Sequence, residues 1–294
     1  MGWKIAHKKN IKFLKNFLLE HELECVSFSS RIKPYLNRKL TNSYYLSFFK
    51  NHTILINEDL ISHKIKETIL LTKHGLVLPI LSKNMNFKIK NPSVINLLEK
   101  YTKKIFSILG TKHSVLKLQY YFNNNNVDLV DYHLMILDLN NREQNNLSNL
   151  NGITIRKAKP FDTDFIFELQ EKYEKEEVLI DKEKFNKKLC MTNLKFSLKN
   201  QIIFIAEHNG KAVSKAGTNA RGFKIDQIGG VYTKKEFRGR NISALVLKEL
   251  FSELSKEKNT VCLFVKKDNH AAIKLYKKIG FSIIDEYRIV YYKK

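Results

Sequence analysis

The sequence predicts an α+β chain of the three-layer α/β type, divided into two domains. Three observations predict it. The chain has 294 residues, and a domain commonly has about 150. A polar stretch at 139–152, rich in Asn, Gln and Ser, separates two segments that each mix helical and strand patterning. The second segment reads βααβββαβαββ, an order that suits a sheet covered by helices. Domains at 1–140 and 151–294 follow. Hydrophobic residues make up 43% and charged residues 28%; that balance supports a packed core and excludes a wholly disordered chain. A chain this long needs no disulfide or metal staple.

In the first half, Ile11, Leu14, Leu18 and Leu19, with Phe13 and Phe17, recur at helical spacing between 9 and 22. Residues 25–30 read as a short strand. Two apolar runs flank His74–Gly75 within 68–81, a hairpin signature. Pro92 opens a helical pattern through Val94, Leu97, Leu98, Tyr101, Ile105 and Ile108, ending at Gly110. Residues 115–122 form a short helix or strand, and 132–137 a strand.

In the second half, 153–156 is a strand and Asp162 or Thr163 caps a helix running to Tyr173. A helix covers 184–199. Strands at 202–207 and 212–216 flank His208-Asn209-Gly210, a strong hairpin signal. A strand at 225–233, a helix at 242–254, a strand at 261–265, a helix at 271–278 and two strands at 281–284 and 287–292 complete the domain.

The net charge is +23, which suits an anionic partner such as nucleic acid, a membrane surface or a phosphate-rich ligand. No Arg-rich run or nucleic-acid motif accompanies the charge. Abundant Lys, Asn, Ile, Phe and Tyr beside scarce Ala, Gly, Pro and Arg fit the codon usage of an AT-rich genome, so nucleic acid is not the favoured partner. Cys25, Cys190 and Cys262 are far apart and lack metal-ligand spacing, so no metal is expected. No secretory h-region follows Met1, and no apolar run is long enough to span a bilayer. A cytoplasmic location without membrane contact is the expectation.

The informative segment is 230–245, Gly-Val-Tyr-Thr-Lys-Lys-Glu-Phe-Arg-Gly-Arg-Asn-Ile-Ser-Ala-Leu. A strand ends, a basic loop follows, and a long helix starts near Ser243. The unpaired N–H groups and dipole of a helix start favour anions. Arg238 and Arg240 add two guanidiniums suited to phosphate, so a pyrophosphate or similar polyanion is the expected ligand.

These residues resemble the acyl-CoA loop of the GNAT superfamily of acyl-CoA-dependent N-acyltransferases, Gln/Arg-x-x-Gly-x-Gly/Ala, through Arg238-Gly-Arg-Asn-Ile-Ser243. A second stretch, Asn269-His-Ala-Ala-Ile-Lys-Leu-Tyr-Lys-Lys-Ile-Gly-Phe281, is similar to the family's Asn-x-x-Ala-x-x-Leu-Tyr-x-x-x-Gly-Phe signature. The resemblance implies a GNAT fold for 151–294. For the first half it implies a divergent, degenerate GNAT-like domain, as in tandem GNAT proteins. Glu176-Glu177-Val178, Ser214-Lys215-Ala216 and Gln227-Ile-Gly-Gly-Val231 are further points of likeness to that group. Two departures stand in the loop: Asn241 replaces a glycine, and Ser243 a Gly or Ala. Asn tolerates positive φ, and Ser can cap a helix.

The resemblance implies an N-acetyltransferase with acetyl-CoA as acyl donor and a primary amine that attacks directly. The pyrophosphate would lie on Arg238, Gly239, Arg240, Asn241, Ile242 and Ser243. The pantetheine arm would pair with the backbone of Val231, Tyr232 and Thr233. Gly229 and Gly230 would permit close approach there, or mark a bulge in a core strand. Asn269 would bond the cofactor's pantetheine or adenosine end, and Tyr276 stands at the general-acid position. The family's basic Glu corresponds to Gln227, an amide that cannot take a proton. Neighbouring Asp226 points to the opposite face. Glu176 and Glu177 are the better candidates for the base; otherwise they form a solvated acidic patch. Two other functions fit the residues: a Fem-like aminoacyltransferase drawing on aminoacyl-tRNA, or a non-catalytic acyl-CoA-binding regulatory protein.

Overall fold

The structure is a computed structural model that describes residues 2–36, 48–59, 61–62, 64–83, 87–122, 126–141 and 150–293. The chain forms two compact units. One comprises Met1–Leu134, Val265–Asp268 and Ile284–Lys294; the other comprises Met135–Phe264 and Asn269–Ile283.

The first unit contains β1 (Gly2–Ile5), α1 (Ile11–Glu20), α2 (Glu22–Leu36), β2 (His52–Glu58), β3 (Ile65–Thr72), β4 (Leu76–Ile80), α3 (Pro92–Thr102), β5 (Ser107–Thr111), α4 (Lys112–Gln119) and most of β6 (Val127–Asp138). Its strands run β1-β2-β3-β4-β5, antiparallel except for the parallel pair β4 and β5. The end of the chain, in β12 (Ser282–Tyr292), lies antiparallel along β5, with Tyr287 opposite Thr111 and Tyr291 opposite Ser107. Leu55, Ile69, Val77, Ile108 and Val290 meet Val94 and Leu98 of α3 and Val115 and Leu118 of α4 in one apolar core.

The second unit contains β7 (Ile153–Lys157), α5 (Thr163–Tyr173), α6 (Lys187–Asn200), β8 (Ile203–His208), β9 (Lys211–Arg221), β10 (Ile225–Thr233), α7 (Ile242–Leu254), β11 (Thr260–Lys266) and α8 (His270–Ile279). Its strands run β11-β10-β9-β8-β7. Ile166 and Leu169 of α5 and Cys190, Leu194 and Leu198 of α6 pack on Ile203, Ile205 and Tyr232. α7 buries Val246, Leu247, Leu250 and Phe251 against β7–β10 and completes the three layers. The hairpin at Asn209–Gly210 forms as its sequence predicts. Both residues take positive φ, 48° and 69°, the turn whose twist matches that of the flanking strands.

Among the described residues, and leaving aside a helical turn at 48–51, the two halves share one element order, βααβββαβαβ. The repeat lies in the order of elements and not in the residues, so no internal sequence repeat reveals it.

Three expectations are corrected. Residues 26–30 are helical, inside α2, which kinks at Cys25 (φ −143°, ψ 29°), and 25–30 is not a strand. The buried positions Glu22, Cys25, Val26, Phe28, Ser29 and Ile32 include the i, i+3 and i, i+4 steps of a helix; the apparent alternation of Val26 and Phe28 misleads because the window is short. The helix expected to reach Gly110 ends at Thr102. The chain beyond it is captured by the hairpin turn at Gly75, whose carbonyl accepts from Phe106 N at 2.8 Å and Ser107 N at 3.1 Å. That capture turns Ile108 into a strand residue. The two final strands are one, β12, because Asp285 and Glu286 do not break it. Their side chains pair with Lys83 and with Lys112 and Lys267. The expected linker at 139–152 falls largely outside the described residues. Among the described residues no helix is long and apolar enough to cross a membrane.

The ion pairs set an acid limit. Glu168 bridges Lys172 and Lys234, Glu253 bridges Lys157 and Lys256, and Glu286 bridges Lys112 and Lys267; these hydrogen bonds hold each carboxyl at about 2. In the unfolded chain a Glu titrates near about 4.3. The unfolded state therefore binds more protons between those values. The stability these pairs contribute is present above about 4.3 and lost as pH falls toward about 2. The part of the unfolding midpoint owed to these three pairs should be flat above pH ~5 and fall steadily below pH ~4.5. A midpoint unchanged down to pH ~3 contradicts the assignment.

Candidate active site

The site is built on the middle strands of the second unit. β10 and β11 pair in parallel from Ile225 and Thr260 to Ile228 and Leu263, and there the pairing stops, although both strands continue. On its other edge β10 pairs with β9, but Gly229 lies opposite Gly217 and Tyr232 opposite Lys215. Three steps on one strand match two on the other, a β-bulge. Gly230 takes φ +62°, and a Cβ on Gly229 would fall 1.8 Å from the Asn219 side chain. Of the two readings of this glycine pair, the bulge is the one observed. Past it, the backbone of Val231–Thr233 runs on without a β11 partner.

β10 leads through the exposed loop 235–241 into α7. Asn241 adopts the left-handed region, φ 57° and ψ 13°, and its side chain makes no capping hydrogen bond. Leu245 N bonds to Asn241 O at 3.1 Å, so the amides just before it have no intrahelical acceptor. The substitution of Asn for Gly is thus accommodated, and the helix start is uncapped. Arg238 donates from Nε to Thr233 O at 3.0 Å and from Nη2 to Glu176 Oε2 at 2.9 Å. Its guanidinium lies 5.3 Å from the centre of the Tyr232 ring. Arg240 lies over Phe237.

Glu176 and Glu177 sit in a single π-helical turn, Glu174–Val178, that continues α5. Glu176 also accepts from the Tyr232 hydroxyl at 2.9 Å. Burial raises its pKa, but the hydrogen bonds from Arg238 and Tyr232 outweigh it and hold the carboxyl below its usual range. Glu177 faces elsewhere, taking a 3.4 Å contact from Asn269 Nδ2. Asn269 Oδ1 caps α8 through Ala272 N. One turn on, Tyr276 is 8% exposed and packs edge-on against Phe281. Burial, with Tyr173 and Glu177 nearby, pushes its phenol well above the usual range.

The predicted residues therefore gather into two groups. Glu176, Tyr232 and Arg238 form one, and Glu177, Asn269 and Tyr276 the other. Asp226 is fully buried and pairs with Arg221 at 3.4 Å. Sequence reading gave no chemical part to Lys215, which is buried beside the bulge; its one signal is a charge inside the apolar run 212–217. It also gave none to Thr233 O as the anchor of Arg238, because a backbone contact leaves no trace in residue types.

The equivalent region of the first unit is closed. β4 and β5 pair at Leu76–Ser107 and Val77–Ile108, and Gly110 then stays against Pro79, where a Cβ would meet Pro79 O at 3.1 Å. Pro79 has no N–H to offer. Leu81 N donates to Ser114 Oγ at 3.1 Å, and Leu81 O contacts His113 Nε2 at 2.8 Å. The following helix α3 is capped by Asn91 and opens on Pro92. Strand edge and helix start are open in the second unit; in the first, the chain's own side chains close them.

Residues 211–290 match the family model described as FR47-like protein. No curated protein matches the chain in sequence. Among solved structures, a Drosophila protein is similar with TM-score 0.66 and 9% identity, over 99% of this chain and 98% of that one. A tandem GNAT protein from the clavulanic acid biosynthesis pathway gives 0.61 and 10%, over 98% and 97%. A GCN5-related N-acetyltransferase from Sphaerobacter thermophilus gives 0.58 and 11%, over 98% and 94%. The fold is that of GNAT acetyltransferases, repeated in tandem along the chain. The FR47-like match lies within its C-terminal half.

Proposed function

We propose that the chain is an acetyl-CoA-dependent N-acetyltransferase that passes acetyl directly to a primary amine, and that the second unit carries the site. The observation that supports this most is the open edge of β10 beside the uncapped start of α7. Acetyl-CoA, as acyl donor, would bring an activated thioester. The donors present fit it: the amides of Gly239–Ser243 with Arg238 and Arg240 suit a pyrophosphate. The Val231–Thr233 backbone can pair with an extended pantetheine arm as an added strand would. Val231 N–H is the donor for the thioester carbonyl as negative charge develops on its oxygen.

Tyr276 keeps its proton at neutral pH and can donate to the departing sulfur, whose thiol has a pKa of about 8.5. The attacking amine, protonated in water up to about pH 10.4, must lose a proton. Glu177 is the group we assign to accept it, directly or through water. Glu176, already bound to Arg238 and Tyr232, holds the loop arginine in place. Three buried cysteine thiols agree with a reducing, cytoplasmic setting. We take 1–140 and 151–294 as the functional domains, with only the second binding the acyl donor.

Thermal unfolding with added acetyl-CoA tests the reading. A ligand at about 100 times its Kd should stabilise a competent site by about 2.7 kcal/mol. Wild type should show the shift, and Arg238→Ala should lose most of it. An equal shift in both would remove Arg238 from the site.

A further inference from the structure

The bulge leaves one peptide without ladder partners to orient it. β9 and β10 are in register at Gly229 and again at Tyr232, and not between. Gly230 and Val231 are joined there, and no peptide bond among the described residues is cis. In a trans peptide the C=O and the N–H point in opposite directions. Whatever holds Gly230 O therefore also aims Val231 N–H.

Lys215 holds it. Its Nζ donates to Gly230 O at 2.9 Å. The side chain is 4% exposed, and its ammonium stands 4.5 Å from the centre of the Tyr173 ring. We infer that Lys215 is a positioning residue for the proposed transfer: it pins the Gly230–Val231 peptide so that Val231 N–H faces away from it, toward the thioester carbonyl. This rests on the acyl-CoA reading above.

A buried lysine is a costly way to fill space, since a charge in the core needs compensation. A methionine of equal length would pack there without that cost, but could not donate. Burial lowers the Lys215 pKa to about 8, opposed by Glu174 and Cys190. The groups around it are Tyr173 from α5, Glu174 from the π turn and Cys190 from α6. The bond uses Nζ as a donor to Gly230 O, and that is the part assigned to Lys215.

The test uses the full chain with acetyl-CoA labelled by 13C at the carbonyl. A hydrogen bond to that oxygen moves its resonance downfield on binding. Wild type should show the shift, and Lys215→Met should lose most of it. Affinity for CoA itself, which has no acyl carbonyl, should stay within about threefold. Folding is checked first by unfolding without ligand. Lys215→Gln, a shorter neutral donor, replaces the methionine variant if that one fails to fold, and is expected to recover part of the shift. A full shift in Lys215→Met overturns the inference. So does a parallel loss of CoA affinity, which would mark a merely structural lysine. A wild type with no bound resonance overturns the acyl-CoA reading itself, and with it the role given to Lys215.

Discussion

Tyr276→Phe should cut turnover about 10²-fold or more, within the 10²–10⁴ range of a positioned acid or base, and leave acetyl-CoA affinity unchanged. The ring would keep its packing: Tyr276 is buried, and its contact with Phe281, centroids 5.7 Å apart, involves the ring and not the hydroxyl. Only the donor is lost. Because burial raises the phenol's pKa, it remains protonated across the working range and gives no alkaline limb near neutrality. The measurement is CoA thiol release with the best amine from an acceptor screen. Equal turnover in both proteins would make Tyr276 a packing residue.

Phe251→Ala should destabilise the second unit by about 3–5 kcal/mol, the usual cost of deleting a buried aromatic ring. Phe251 is 1% exposed, in the last turn of α7, with its ring 5.9 Å from Phe281. Phe281 in turn packs against Tyr276. At about 2–4 °C per kcal/mol, the unfolding midpoint should drop by roughly 10 °C. Phe161→Ala is the control: that ring is 76% exposed, and its loss should change stability by no more than about 0.5 kcal/mol. Similar drops in the two variants would contradict the packing described for α7.

Residue patterns reveal most of the second unit because its signals are local. β10 and α7 have the predicted bounds, Ile225–Thr233 and Ile242–Leu254. Asn209–Gly210 sets its own turn, and Asn241 accepts the positive φ that its type permits. The first unit is less legible because distant contacts decide its elements. Gly75 captures Phe106 and Ser107, and Tyr287–Tyr291 pair with a strand nearly 180 residues earlier. β1 has four residues, too few for a period. In the site, motif residues come together, but the division between Glu176 and Glu177 depends on which carboxylate Arg238 and Tyr232 reach. Adjacent glutamates in a sequence carry no sign of that. Lys215 is visible as a lysine in an apolar strand; its partner, a backbone oxygen on the next strand, is not.

The most direct test of the account is calorimetric titration of the full chain with acetyl-CoA. The open edge of β10 and uncapped α7, set against the sealed β4–β5 region and capped α3, predict one molecule bound per chain. Arg238→Ala should abolish or greatly weaken that binding. Absence of binding to the wild type, or two equivalent sites per chain, would contradict the account.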